Sequence, residues 1–520
     1  MSFVSYAFPF FLILSLLLYY LLPTKCQGTV LLLSGLLFYS WISPVLSLFL
    51  IAVTVPVYIW SNFFAENNSK AAFYFFLILT FIPLITFKYT HFILTNIEGL
   101  SGFFSLNVRF SIPTLILPMG ISFYTFKAIS YLIDAERNTI RAEKNFFKLL
   151  LFVSFFPELI QGPISRYSDI SMTLYEEHKF NWTDIISGTR RILFGFFKKL
   201  IIADRIFIAV NTVFMDDVHS GAYIFFGMLM YVIRLYADFS GGIDICIGAA
   251  RLFGIEVKEN FKQPFFSRTL KEYWRRWHIT MGSWFRDYIF YPVSTSSWML
   301  NVIKFFRKKA LKNSNKPKLS ALYKRVSKRL PVYIATLTAW LATGIWHGAS
   351  WNFVAWGLSN CVILIISEEL EPFFKAVSLK LGLQNKALFR IFQSVRTFLI
   401  IAVLNLFDCT RSVRGAFFAF ISMLRADNWS IFFDGSLLKL GINSFDYMII
   451  FIAVFTVFCV DLFMYKRELN KKYIANSGDS GFINSAGFNL ALIYILLFSV
   501  LIFGVYGRGY EAGSFIYNRF

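Results

Sequence analysis

Long uncharged stretches broken by short charged ones organise this chain. Residues 1–24 carry no charged side chain, and neither do 26–65 or 71–87. A helix needs about 20 apolar residues to cross roughly 30 Å of hydrocarbon. The same reading along the chain predicts spans at 3–22, 28–42, 44–64, 71–94, 111–133, 148–165, 187–213, 221–240, 331–349, 350–367, 392–408, 445–463 and 487–506. The run Phe3–Leu22 lacks a basic start and is too long for the apolar part of a cleaved signal, so it reads as the first span. Segment 111–133 holds Pro113, Pro118 and Gly120, and segment 148–165 holds Pro157, Glu158, Gly162 and Pro163. Such residues break helices, and irregular backbone survives in a bilayer only when buried in protein or lining a wet cavity. Arg190, Arg191, Lys198 and Lys199 predict that part of 187–213 lies at an interface. The stretch Gln263–Pro292 mixes aromatic with charged residues, which suits interfacial or re-entrant helices. The expected architecture is all-α and polytopic, with about 11–13 transmembrane helices. Three regions follow from the pattern: N-terminal helices over 1–110, a core over 111–370 with a basic loop at 303–330, and C-terminal helices over 371–520.

Composition agrees with the pattern. Of 520 residues, 57% are hydrophobic and 16% charged, against about 25% charged in soluble domains. The formal net charge is +21. The cations cluster in loops between apolar runs, so membrane orientation and anionic lipid headgroups account for them and no nucleic-acid partner is expected. Cys26, Cys246, Cys361, Cys409 and Cys459 are scattered, without a C-x-x-C pair; His91, His178, His219, His278 and His347 show no H-x-x-x-H spacing. Neither a disulfide framework nor a metal site is indicated. Ile303–Leu330 carries eleven Lys/Arg and no acid, which places it in the cytoplasm. Residues 331–349 then run outward and 350–367 return. By that scheme His278 lies near the cytoplasmic face and His347 near the far end of an outward-going helix.

Ionisable residues within apolar segments are expensive and default to functional hypotheses. Three clusters qualify. In Gly344-Ile345-Trp346-His347-Gly348, a neutral imidazole can accept and return a hydroxyl proton, with Trp346, Trp351 and Trp356 as walls; a structural histidine bonded to a carbonyl is the competing reading. Tyr273-Trp274-Arg275-Arg276-Trp277-His278, followed by Trp284-Phe285-Arg286-Asp287-Tyr288, could bind phosphate or carboxylate through arginine or act as an interfacial anchor. Asp238 and Asp244 flank Ser240-Gly241-Gly242, where a structural ion pair is the stronger reading, with arginines of the second cluster as partners.

Together these segments resemble the membrane-bound O-acyltransferase (MBOAT) family, in its bacterial alginate-acetylase-like branch. The matching pieces run in family order: Pro118–Phe126 (PMGISFYTF), Phe155–Ile164 (FFPELIQGPI), Phe197–Asp204 (FKKLIIAD), Asp238–Gly241, Glu259-Asn260-Phe261, Trp274–His278, Trp284–Tyr288, Trp346–Trp351 and the closing Phe515–Phe520. The resemblance implies a helical shell around a central tunnel, with a cytosolic acyl donor on one side and delivery towards the other. It implies catalytic roles for His347, as base or transient acyl acceptor, and His278. Donor or substrate binding would fall to Arg275, Arg276, Trp274, Trp277, Trp346, Asp238, Ser240, Arg286 and Asp287. No permanently bound cofactor is expected; acetyl-CoA or an acyl carrier would be the donor substrate. The chain departs from alginate-type members at Val293-Ser294-Thr295-Ser296, where Leu-Gly-Gly is usual, and at Gly242-Ile243, which leaves the acceptor open. The expected activity is O-acetylation of a cell-envelope polysaccharide at the inner membrane, with an extracytoplasmic SGNH-type partner. D-alanyl transfer to teichoic acid, or transport of an envelope precursor, are the rival readings.

Overall fold

A computed structural model describes residues 1–41, 43–65, 69–106, 108–111, 115, 117–215, 220–384, 386–471, 486–506 and 515. Pro113, His219 and the closing residues 516–520 lie outside the described residues. Every regular element among the described residues is helical. Among the described residues, six helices are long and apolar enough to cross a membrane: Val45–Phe64, Lys70–Phe103, Ala222–Leu252, Trp351–Lys380, Ala387–Cys409 and Ser444–Leu469. Shorter apolar helices at Ala7–Leu21, Val413–Leu424 and Gly487–Phe503 accompany them. The protein is thus an all-α polytopic membrane protein. It divides into two compact units, one formed by Met1–Gln263 with Ile421–Phe520 and the other by Pro264–Phe420.

The proline-bearing segments behave as their composition requires. The helix expected from residue 111 starts only at Ile121, after a turn in which Gly120 adopts φ +74°. The helix Phe146–Ser154 stops ahead of Pro157, and Phe155–Ser165 continues as a buried, non-helical run with a single 3-10 turn. The 187–213 segment departs from expectation. Trp182–Phe196, a π-helical stretch Phe197–Ala203 and Asp204–Met215 follow one another without a break, and Lys198 and Lys199 are buried. They are not interfacial, because protein carboxylates replace the water they would otherwise need.

The basic region 303–330 is not a loop. Ser297–Lys312 and Pro317–His347 form a helical hairpin, for which lysine and arginine are good helix formers. Met299, Ala310, Ser320 and Ser327 face inward, and Ser320 Oγ donates to the Ala310 carbonyl at 2.9 Å. Across the neighbouring helix, Glu369 gathers Arg325, Arg329 and Tyr333. The Leu270–Arg276 helix has seven residues, about 10 Å at 1.5 Å per residue, too short to span. Ile279–Phe285 runs on through a π-helical stretch Arg286–Phe290 into Tyr291–Ser294.

In the first unit, Trp182–Phe196 lies on Ala222–Leu252 through paired glycines. A Cβ on Gly195 would sit 2.5 Å from the Gly241 carbonyl oxygen, and one on Gly248 would sit 2.7 Å from that of Gly188. Both pairs are seven residues apart on each helix, two turns, so the backbones stay in contact along the seam. Small residues drive such close approach where the surrounding lipid removes the hydrophobic incentive. Gly195→Ala is therefore expected to cost about 1–3 kcal/mol by overpacking. Gly99→Ala, where a Cβ meets nothing within 4 Å, should be neutral or mildly stabilising. Thermal unfolding in detergent, followed by size-exclusion recovery, checks the contrast.

Candidate active site

The second unit builds its site from two short helices and one long one. Thr269 Oγ1 caps Leu270–Arg276 by accepting from the Glu272 N–H at 3.1 Å. Glu272 in turn accepts from the Arg268 N–H at 2.9 Å and from Arg276 Nε at 3.1 Å. The helix ends at Trp277, and His278 turns the chain in the left-handed region at φ +46°, ψ +53°. A non-glycine residue there is strained, and such strain clusters at functional sites. His278 is fully buried.

The long helix Pro317–His347 delivers the other histidine at its last residue. Its crossing with Trp351–Lys380 is tight: a Cβ on Gly357 would lie 2.5 Å from the Trp340 carbonyl oxygen, and one on Gly344 would lie 2.5 Å from that of Phe353. This contact presses His347 against the neighbouring aromatics. Its ring lies 4.7 Å from Trp356 and 5.0 Å from Trp346, with Phe353 stacked at 6.5 Å. Trp346 also lies 5.9 Å from the His278 ring, and the two imidazoles are close enough to interact electrostatically.

That proximity corrects the topology argument. His278 and His347 do not mark opposite ends of a path; both rings lie beside the Trp346 indole. The short helices double back, so position along the sequence is no guide to depth.

The remaining predicted residues fall into place as follows. Trp277 is buried and stacks on Tyr273 at 5.5 Å. Trp274 packs edge-on against Trp340 at 5.0 Å and Trp356 at 5.7 Å. Arg276 is committed to Glu272, whereas Arg275 is exposed. Arg286 pairs with its neighbour Asp287 at 2.8 Å. Trp351, expected as a wall, is 59% exposed. Trp340 and Phe353 were missed, since an aromatic in an apolar helix carries no signal of its own.

Asp238 and Ser240 belong to the first unit, in a buried charge network. Lys199 Nζ bonds Asp238 at 2.6 Å and Asp204 at 2.8 Å. Lys198 Nζ donates to Ser240 Oγ at 2.9 Å and pairs with Asp244. Arg191 bridges Asp244 at 3.0 Å and Glu259 at 2.5 Å. The carboxylates thus find the π-segment lysines and Arg191 rather than the arginines of the second cluster. A second network was missed: Lys127 Nζ lies 2.7 Å from Glu158, which also accepts from Ser165. No group of His, Cys, Asp and Glu that could hold a metal occurs among the described residues. His178 is structural, its Nε2 lying 2.7 Å from the Thr173 carbonyl.

Comparison with known proteins decides the class. Residues 72–304 match the profile of the membrane-bound O-acyltransferase family. A probable alginate O-acetylase of Azotobacter vinelandii is 32% identical over 379 residues, covering 71% of this chain and 69% of the relative. The chain belongs to the membrane-bound O-acyltransferase family. A peptidoglycan O-acetyltransferase of Helicobacter pylori is 32% identical over 54% of the chain and 52% of that protein. A teichoic acid D-alanyltransferase of Bacillus subtilis is 29% identical over 50% of the chain and 61% of that protein. The protein is an O-acyltransferase resident in a membrane. The family match runs through His278 and ends at residue 304, within the first helix of the basic hairpin and before His347.

The Lys127–Glu158 pair separates architecture from chemistry. Glu158→Ala strands a buried lysine and should cost about 3–5 kcal/mol, whereas the Lys127→Met, Glu158→Leu double variant should cost far less. Detergent melting of the three proteins reads the cycle. Acyl transfer lost in a double variant that melts normally would make Glu158 functional.

Proposed function

We propose that the protein moves an acetyl group from a cytoplasmic donor across the inner membrane for O-acetylation of a cell-envelope polysaccharide, with His347 as the general base. The observation that carries this reading is the buried enclosure in which Trp346 holds His347 and His278 together, in a family member similar to two polysaccharide O-acetyltransferases. The acceptor hydroxyl oxygen attacks the acyl carbonyl carbon while His347 takes the hydroxyl proton. The carbon–sulfur bond of a donor thioester breaks, and the imidazolium returns the proton to the departing thiolate. His278, beside the same indole, stabilises charge on the same acyl centre. Acetyl-CoA or an acyl carrier supplies the group, and the exposed Arg275, three residues before His278, receives the donor's anionic part. The acceptor hydroxyl belongs to an extracytoplasmic SGNH-type protein, whose ester a polymer hydroxyl then attacks, so that the acetyl group passes to the polymer and the partner's hydroxyl is regenerated.

His347→Ala should lower acetylation of envelope polymer by at least about 100-fold, the low end for loss of a general base, at unchanged protein level. Mass spectrometry of polymer from cells carrying either protein measures it. Acetylation equal to wild type sinks the assignment. The relative named as a D-alanyltransferase favours a second reading, and the same spectra resolve it, since alanyl and acetyl groups differ in mass.

A further inference from the structure

Aromatic rings crowd the His347 imidazole. Trp356 stands 4.7 Å from the imidazole. Behind it lie Trp340 at 5.9 Å and Trp274 at 5.7 Å. The helix that carries Trp356 touches its neighbour at Gly357, where a Cβ would lie 3.1 Å from the Gly344 Cα, and that close approach sets how near Trp356 stands to His347. The same wall contains polar atoms that the protein does not satisfy. Asn360, one turn beyond Trp356, is fully buried; its Nδ2 donates to the Trp356 carbonyl at 2.9 Å, while its Oδ1 has no hydrogen-bond partner among the described residues. The buried Trp274 Nε1 has none either. Buried polar atoms are bonded in the great majority of cases. One unmet acceptor and one unmet donor, in a wall otherwise aromatic, suit a ligand that is apolar at one end and carries both a carbonyl and an N–H further along.

We propose that this aromatic box sets the size of the transferred group. Trp356 admits an acetyl and excludes a longer acyl chain, while Trp274 Nε1–H and Asn360 Oδ1 hold the polar arm of the donor. The inference rests on His347 as the acyl-transfer centre and adds a specificity-determining residue to it. A packed cluster of tryptophans with no such role is the alternative that the experiment separates.

Membrane vesicles containing the full chain are supplied with acetyl-CoA or butyryl-CoA as probes, and acyl groups on the polymer are counted by mass spectrometry. Wild type should favour acetyl over butyryl by at least about 10-fold, and Trp356→Val should lower that ratio by about 10-fold, the scale of hydrophobic-pocket discrimination. Trp356→Leu provides a milder variant should valine prevent folding. Asn360→Ala should raise the concentration of both donors needed for half-maximal transfer without altering their ratio. Butyryl used as readily as acetyl by wild type overturns the proposal. So does a wild-type ratio in folded Trp356 variants, or loss of both activities in both of them. Wild type silent with both probes, in vesicles from cells whose polymer is acetylated only when this chain is present, overturns the box as a site for these donors and leaves the acetylation reading to the His347→Ala comparison.

Discussion

A lysine and a glutamate deep in the first unit show the constraint that governs the whole molecule. Lys127 and Glu158 are almost wholly screened from solvent, and neither charge is tolerable there without the other. Their bond fastens Ile121–Glu136 to the irregular run Phe155–Ser165, whose own Ser165 also bonds Glu158. Where water is scarce, every backbone group and charge needs a protein partner. A non-helical stretch of eleven residues inside an apolar fold therefore depends on such ties. The same logic explains Lys198 and Lys199. They follow one another on a π-helical segment, and each reaches a carboxylate on Ala222–Leu252. The glycine seam that brings those two helices into contact is what puts the carboxylates within reach.

Much of this was legible in the sequence, and the failures share one cause. Prolines and glycines at Pro118–Gly120 and Pro157–Pro163 marked irregular backbone, and irregular backbone is there. His347 stood out because an ionisable residue in an apolar run is costly. Lys198 and Lys199 were misplaced at an interface because sequence shows a charge but not its partner, and Asp238 lies 39 residues from Lys199. The basic stretch 303–330 read as a loop because charge density resembles coil; the spacing of Met299, Phe306 and Ala310 was the helical signal. Trp340, Phe353 and Asn360 carried no sequence signal. Their meaning comes only from which helices cross at Gly344 and Gly357.

The second unit concentrates its demands at one place. A left-handed His278, a helix ending at His347 and a crossing too tight for any side chain at Gly357 are each unfavourable or restrictive alone. Together they hold two imidazoles and an indole in a fixed order. Strain of this kind persists only where surrounding packing over-determines it, and the tryptophans around His347 supply that packing.

One helix also relates this site to the basic hairpin. Pro317–His347 has 31 residues, about 46 Å at 1.5 Å per residue, well beyond the roughly 30 Å of a hydrocarbon core. Arg329, the last cation before the histidine, precedes His347 by 18 residues, or about 27 Å of helix. The cations of this helix thus lie in its first half, and His347 ends the uncharged stretch that follows Arg329. His278, which lies beside the same Trp346 as His347, sits at that end of the helix. The left-handed turn at His278, between Leu270–Arg276 and Ile279–Phe285, is what brings it there, so the end of one long helix and the corner between two other helices meet at a single indole.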